Sequence, residues 1–291
     1  MDGWILICLM VALVITGSGF VQGAMGFGYA IVALAVLPFY LNVRLANLVV
    51  SLSAVAPLVL AMWSYRRGLD RRLLAICLSG AVVGLPLGLV VFMAVEAHWL
   101  LRGTGLAILI FAIQGLRTQP NEVVGTASRW GSALAGVTSG FLSGSVGIGG
   151  PPVAVYAAGQ SWSPERFKAF VLSFSLVLVL MKAVGLAATG LLGSDVLWLS
   201  VVAAPFGFLG TWLGVRASKN INAVRFRQIA MAMLVLISLD MILREKPSLP
   251  ATSLRPAITS TTSDRGPWTT AGAVPSHETN HRHWYSNQGR H

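Results

Sequence analysis

Charge is what this sequence has least of. Asp, Glu, Lys and Arg make up 11% of its 291 residues, against roughly 25% in soluble domains, which excludes an ordinary water-soluble globule. Acids are scarcer still, 10 against 21 Lys and Arg, so a carboxylate proton relay through the interior has little to draw on. Cysteine occurs only at Cys8 and Cys77, each inside an apolar run. Neither has CxxC or metal-ligand spacing, and both read as packing residues. Before residue 247 the only histidine is His98; His277, His281, His283 and His291 lie in the polar tail. With no GxSxG and no base at hand for a nucleophile such as Ser143, a serine hydrolase is disfavoured. No Walker A pattern occurs either, so ATP could be used only through a partner subunit.

What the chain does have is apolar length. It is 55% hydrophobic with a mean hydropathy of +0.72. Apolar segments cover 4–22, 26–40, 45–63, 73–95, 99–117, 131–158, 166–190, 195–217 and 225–243. Most reach the roughly 20 residues a helix needs to cross a bilayer. Trp63, Trp99, Trp130 and Trp198 stand at or beside segment ends, where amphipathic rings prefer the interface. Asp2 stands where a secretory signal carries positive charge, so the first segment is expected to stay as a membrane anchor. The net charge of +11 falls in short clusters between apolar runs, a pattern of membrane topology and not of nucleic-acid binding.

Within the first segments lies GFVQGAMGFG, Gly19 to Gly28, and 121 residues later GFLSGSVGIG, Gly140 to Gly149. Gly19/Gly140, Gly23/Gly144, Gly26/Gly147 and Gly28/Gly149 coincide without a gap. Glycines this dense break a helix. Backbone that leaves the helix at membrane depth must be buried in protein or line a wet cavity. Paired breaks in corresponding positions point to a transporter's binding site, although the same glycines also serve close helix packing. The repeat continues: RLANLVVSLSAV from Arg44 aligns with RFKAFVLSFSLV from Arg166, and Gly84 and Gly88 match Gly210 and Gly214.

The expected architecture is an all-α polytopic membrane protein of two inverted structural repeats. Each has one Gly-broken segment or re-entrant hairpin and three further helices. The first repeat spans 1–117, an inter-repeat loop 118–130, the second repeat 131–246, and a polar, disordered tail 247–291. Charge supports the inversion. If each broken region crosses once, the basic residues outside the spans divide eight against eight; if each returns or crosses twice, they divide twelve against four, with Arg44, Arg102, Arg244 and Lys246 on the poor side. The positive-inside rule favours the second division and places both termini outside.

An oxyanion needs donors in a preformed shape, and broken helices supply free N–H groups at a positive dipole end. The candidate substrate-binding residues in the breaks are therefore Gln22, Gly23, Gly26 and Gly28, and Ser143, Gly144, Ser145, Gly147, Gly149 and Gly150. The substrate is expected between the two breaks near mid-membrane. Ser51 and Ser173, paired by the repeat, approach from symmetry-related helices, with Asn47 one turn before Ser51 on the same face. Ser53 and Ser175 lie about 200° around their helices and face elsewhere. Lys182 is the most unusual residue, an ionisable group well inside an apolar segment. It attracts an anion, joins proton coupling, or snorkels to an interface. Asp240, one turn from Arg244, reads as a local ion pair.

The duplicated glycine motifs, the RxxNxxxSxS run from Arg44 and GIGGPP at Gly147 to Pro152 resemble the TauE/SafE family of sulfite exporters, also described as 4-toluene sulfonate uptake permeases. The resemblance implies a multi-pass carrier in a bacterial plasma (inner) membrane for sulfite, sulfoacetate or other organosulfonates. It implies no catalytic residue, cofactor or metal. The expected partners are the small anion, the lipid bilayer and a coupling proton or ion, and no nucleic acid; the oligomeric state is open. The alternatives are a carrier of another small anion, or a membrane scaffold or assembly protein without transport. GFGYAI stands in the first copy where the second has GIGGPP, so the half-sites differ chemically.

Overall fold

A computed structural model describes residues 2–65, 69–117, 128–160 and 162–218, together with 232, 234–236, 238–240 and 242–243. The expected tail, and the inter-repeat loop up to 127, lie outside these residues. Every regular element among them is helical. The first half contains α1 (Asp2–Met25), α2 (Tyr29–Val36) followed by a 3-10 turn (Leu37–Phe39), α3 (Val43–Ser53), α4 (Val55–Tyr65), α5 (Arg71–Ala94) and α6 (Ala97–Arg117). The second contains α7 (Arg129–Ser145), α8 (Gly150–Ala158), α9 (Pro164–Ala188) and α10 (Ser194–Ala217). Among the described residues, four apolar stretches are long enough to cross a membrane: Val43–Tyr65, which joins α3 and α4, Arg71–Ala94, Pro164–Ala188 and Ser194–Ala217.

The helix starts are set by short polar residues that accept orphan backbone N–H groups. Asn42 accepts from Arg44 N, Ser128 from Gly131 N, and Ser163 from Arg166 N ahead of Pro164. Asp70 accepts from both Arg72 N and Leu73 N at the start of α5, and also receives Arg166 Nη2 at 3.1 Å. Asp70→Ala removes the cap and a half-exposed ion pair together. We expect a loss of about 1–2 kcal/mol, whereas Asp70→Asn, which keeps a capping oxygen, loses less than about 1 kcal/mol. Thermal unfolding of the detergent-solubilised variants measures the difference.

Glycines fix the packing. α1 lies against α10, and α7 against α5, at backbone contact. A Cβ at Gly19 would meet Gly207 O and Thr211 N, and one at Gly140 would meet Ala81 O and Leu85 N. A step further along, Gly23 meets Thr211 O and Val215 N, and Gly144 meets Leu85 O and Leu89 N. From the other side, Gly84 faces Val137 O and Gly210 faces Thr16 O. Equivalent glycines thus touch equivalent backbone atoms, and each half's first helix packs on a late helix of the other half. Sequence numbers rise together along both seams, so the paired helices run parallel.

The equivalent spans α3–α4 and α9 run antiparallel. Lys182, late in α9, meets Asn47, early in α3, whereas Lys168, early in α9, meets Tyr65 at the end of α4. Outward faces are apolar, with Val82, Val83, Leu87 and Val90 of α5 and Val201 and Leu209 of α10 exposed. Trp63, Trp99, Trp130 and Trp198 are all exposed as well. The molecule is built for a lipid surround.

Candidate functional site

Both glycine motifs end a helix and reverse the chain. Gly26 and Gly28 have φ of 90° and 114°, and Gly147 has φ of 85°, left-handed values that L-residues rarely adopt. Gly149, by contrast, has φ of −91° and is needed for space, since a Cβ there would stand 2.6 Å from Leu178 Cδ2 and 2.7 Å from Ser143 Cβ.

The two breaks do not meet. Gly26 packs on Lys168 and Gly149 on Leu178. These residues are ten apart on α9, about 15 Å along its axis at helical rise. The breaks are thus offset along α9, the first beside Lys168 near its start and the second beside Leu178 near its middle. The second break also lies beside Asn47 of α3.

At the second break the polar residues converge. Lys182 Nζ donates to Asn47 Oδ1 at 2.6 Å, with both residues 2% exposed. Ser51 Oγ donates to Asn47 O at 2.6 Å and lies 3.4 Å from Asn47 Oδ1. Asn47 Nδ2 and Leu34 Cδ1 both lie 2.8 Å from where a Gly147 Cβ would stand. Leu178 and Lys182 share a face of α9 one turn apart. The start of α8 is thus placed beside the lysine.

The first turn of α8 has no side-chain cap, and Pro151 and Pro152 carry no N–H. Only the Gly149 and Gly150 N–H groups remain as orphans there, at the positive end of the helix dipole. A Cβ on Gly150 would meet nothing within 4 Å.

The remaining sequence candidates are dispersed. Gly23 and Gly144 lie in the helix seams described above. Ser145 Oγ is used locally, donating to Phe141 O at 2.7 Å. Ser143 is buried beside Gly149, and Ser173 is buried on α9. Gln22, 3% exposed in the last turn of α1, has its Nε2 without a protein partner. Ser53 faces away from Ser51, pairing with Tyr29 Oη at 2.9 Å. Arg44 and Arg166 anchor helix ends, through Val95 O and through Asp70. The Asp240 to Arg244 pairing involves a residue outside the described set.

Sequence reasoning missed Ser139. It is fully buried, its Oγ has no protein partner, and its carbonyl lies 3.0 Å from a Gly149 Cβ position. A signal was present: Ser139 is one turn before Ser143 and aligns with Ser18 in the repeat. A buried polar atom without a protein partner is uncommon in native proteins.

A break lined by a lysine, an amide, hydroxyls and uncapped backbone N–H groups has the donors an oxyanion needs. The sulfite exporter TauE/SafE model matches residues 11–241. The chain belongs to this family. TauE/SafE proteins are membrane transporters and not enzymes, and at family level they export sulfite and related sulfur anions. The match leaves out only the first ten residues and the tail. No curated protein and no solved structure matches the chain.

Proposed function

We propose that this protein is a secondary carrier of small sulfur-containing anions such as sulfite, sulfoacetate or another organosulfonate, in a bacterial plasma membrane. The observation that carries the reading is the Lys182–Asn47–Ser51 cluster beside the uncapped α8 start: an intramembrane cation and neutral donors with no buried acid among the described residues. A charge costs about 2.5–3.5 kcal/mol at a helix centre, so such a residue is kept where it does work.

We further infer that the halves are inverted repeats. The antiparallel α3–α4 and α9 and the reciprocal α1–α10 and α7–α5 seams support it. Arg71, Arg72, Arg129, Arg166, Lys168 and Arg216 gather at the Gly26 end, with Arg44 and Arg102 at the other. The positive-inside rule makes the Gly26 end cytoplasmic. Alternating access then consists of exposing the Gly147 site to each side in turn. The thin set of acids leaves the membrane potential or a gradient of the anion itself as the simplest driving force.

The test is uptake of labelled sulfite into liposomes holding the purified protein, with sulfoacetate, taurine, sulfate and thiosulfate as competitors and with imposed pH gradients and potentials. Saturable uptake inhibited by at least one sulfonate is expected. A folded protein that moves none of these would refute the sulfonate reading and leave the scaffold alternative standing.

A further inference from the structure

Lys182 is the only Lys, Arg, Asp or Glu side chain buried among the described residues. Asp70, Glu96, Glu165, Asp195 and Asp240, the acids whose side chains are described, are all exposed or half-buried. An ammonium has three N–H donors, and Asn47 Oδ1 is its one acceptor among the described residues. A neutral amide oxygen partners the hydrogen bond without balancing the charge. Buried charges are ordinarily paired, because the unpaired ion keeps most of its desolvation cost. A protonated Lys182 therefore brings one uncompensated positive charge to the cluster, together with spare donors.

On the reading that the Gly147 break is the substrate site, we propose that Lys182 is the single counter-charge for the transported ion. Of the sulfur anions proposed above, the carrier accordingly selects the singly charged ones, hydrogensulfite and monosulfonates, over the dianions sulfite and sulfoacetate, and rejects sulfate. A monoanion makes the loaded site neutral. A dianion leaves a net negative charge in a low-dielectric surround, where only dipoles remain to oppose it. The arriving oxyanion replaces Asn47 Oδ1 as the acceptor for Lys182. Ser51 Oγ, already 3.4 Å from that oxygen, then holds the released amide.

Two variants and two ions test this. Methanesulfonate is permanently a monoanion and sulfate a dianion at neutral pH, and both present tetrahedral S–O groups. In wild-type proteoliposomes, methanesulfonate is expected to inhibit labelled sulfite uptake at least about tenfold more effectively than sulfate, the weight of roughly one net charge in a partly screened site. Asn47→Asp puts a carboxylate where the amide is, which neutralises Lys182 permanently. It is expected to keep or raise the thermal unfolding temperature while lowering sulfite uptake about 100-fold, the scale of an uncompensated charge at membrane depth. Lys182→Gln should lower uptake similarly and abolish the preference between the two ions.

Sulfate competing as well as methanesulfonate, or Asn47→Asp transporting at the wild-type rate, overturns the proposal while leaving the carrier reading intact. If wild-type protein moves no sulfite and no tested anion raises its unfolding temperature, the carrier reading itself falls and takes this inference with it.

Discussion

Leucine in place of Gly84 is expected to abolish accumulation of folded protein, while the same change at Gly17 leaves it intact. A Cβ at Gly84 would overlap Val137 O and stand 2.9 Å from Phe141 N. Both are backbone atoms of a hydrogen-bonded helix, so neither can step aside as a side chain does. In an exposed helix interior, alanine is about 1 kcal/mol better than glycine; at Gly84 even alanine reverses that sign. Overpacking costs about 1–3 kcal/mol where neighbours can shift. Here α5 and α7 must part bodily, and we expect more than about 4 kcal/mol, in the range that unfolds a marginally stable protein. Gly210→Leu should behave alike, since it faces Thr16 O in the equivalent seam. Gly17 is exposed and would meet nothing within 4 Å. Size-exclusion profiles of detergent extracts measure the outcome. Monodisperse Gly84→Leu protein with a wild-type unfolding temperature would refute the seam.

The glycines made the repeat legible, because a duplicated backbone requirement survives as duplicated spacing. They did not reveal partners. Gly19 and Gly84 announce a close approach, but nothing local says that α1 seeks α10 and that α5 seeks α7, since any apolar helix offers the same surface chemistry. Asn47 and Ser51 could be placed on one face by their spacing of four. Lys182 could be singled out by its charge, yet its partner lies 135 residues away, beyond any periodicity. The offset of the breaks along α9 was not legible for a similar reason. A glycine motif marks where helical geometry ends, whereas depth depends on how much helix comes before it and how that helix is seated. α1 delivers its break to Lys168 of α9, and α7 delivers its own to Asn47 of α3. Ser139 escaped because serines in apolar helices usually return their hydroxyl to the preceding turn, as Ser18 does to Val14 O. Only the tertiary surroundings of Ser139 leave its Oγ without a partner.

Replacing Gly147 with leucine is expected to lower sulfite transport about 100-fold in protein that still folds, a loss on the scale of an uncompensated intramembrane charge. Two effects combine there. A left-handed backbone costs an L-residue about 1–2 kcal/mol, and a Cβ would press 2.8 Å from Asn47 Nδ2. Moving Asn47 withdraws the oxygen that orients Lys182, so the damage reaches the site through its second residue. Gly26→Leu should be milder, because the atom in its way is Cγ of Lys168, part of a long flexible side chain. Gly103→Leu should be milder again, its Cβ meeting only Val146 Cγ1 at 3.4 Å. Gly190 separates strain from crowding: its φ is 69°, yet a Cβ there meets nothing within 4 Å. Gly190→Ala should therefore lower the unfolding temperature slightly and leave the apparent affinity for sulfite unchanged, whereas Gly147→Ala weakens it. Equal transport losses at Gly147 and Gly190 would show that backbone strain alone is responsible, and the Asn47–Lys182 contact would lose its place in the site.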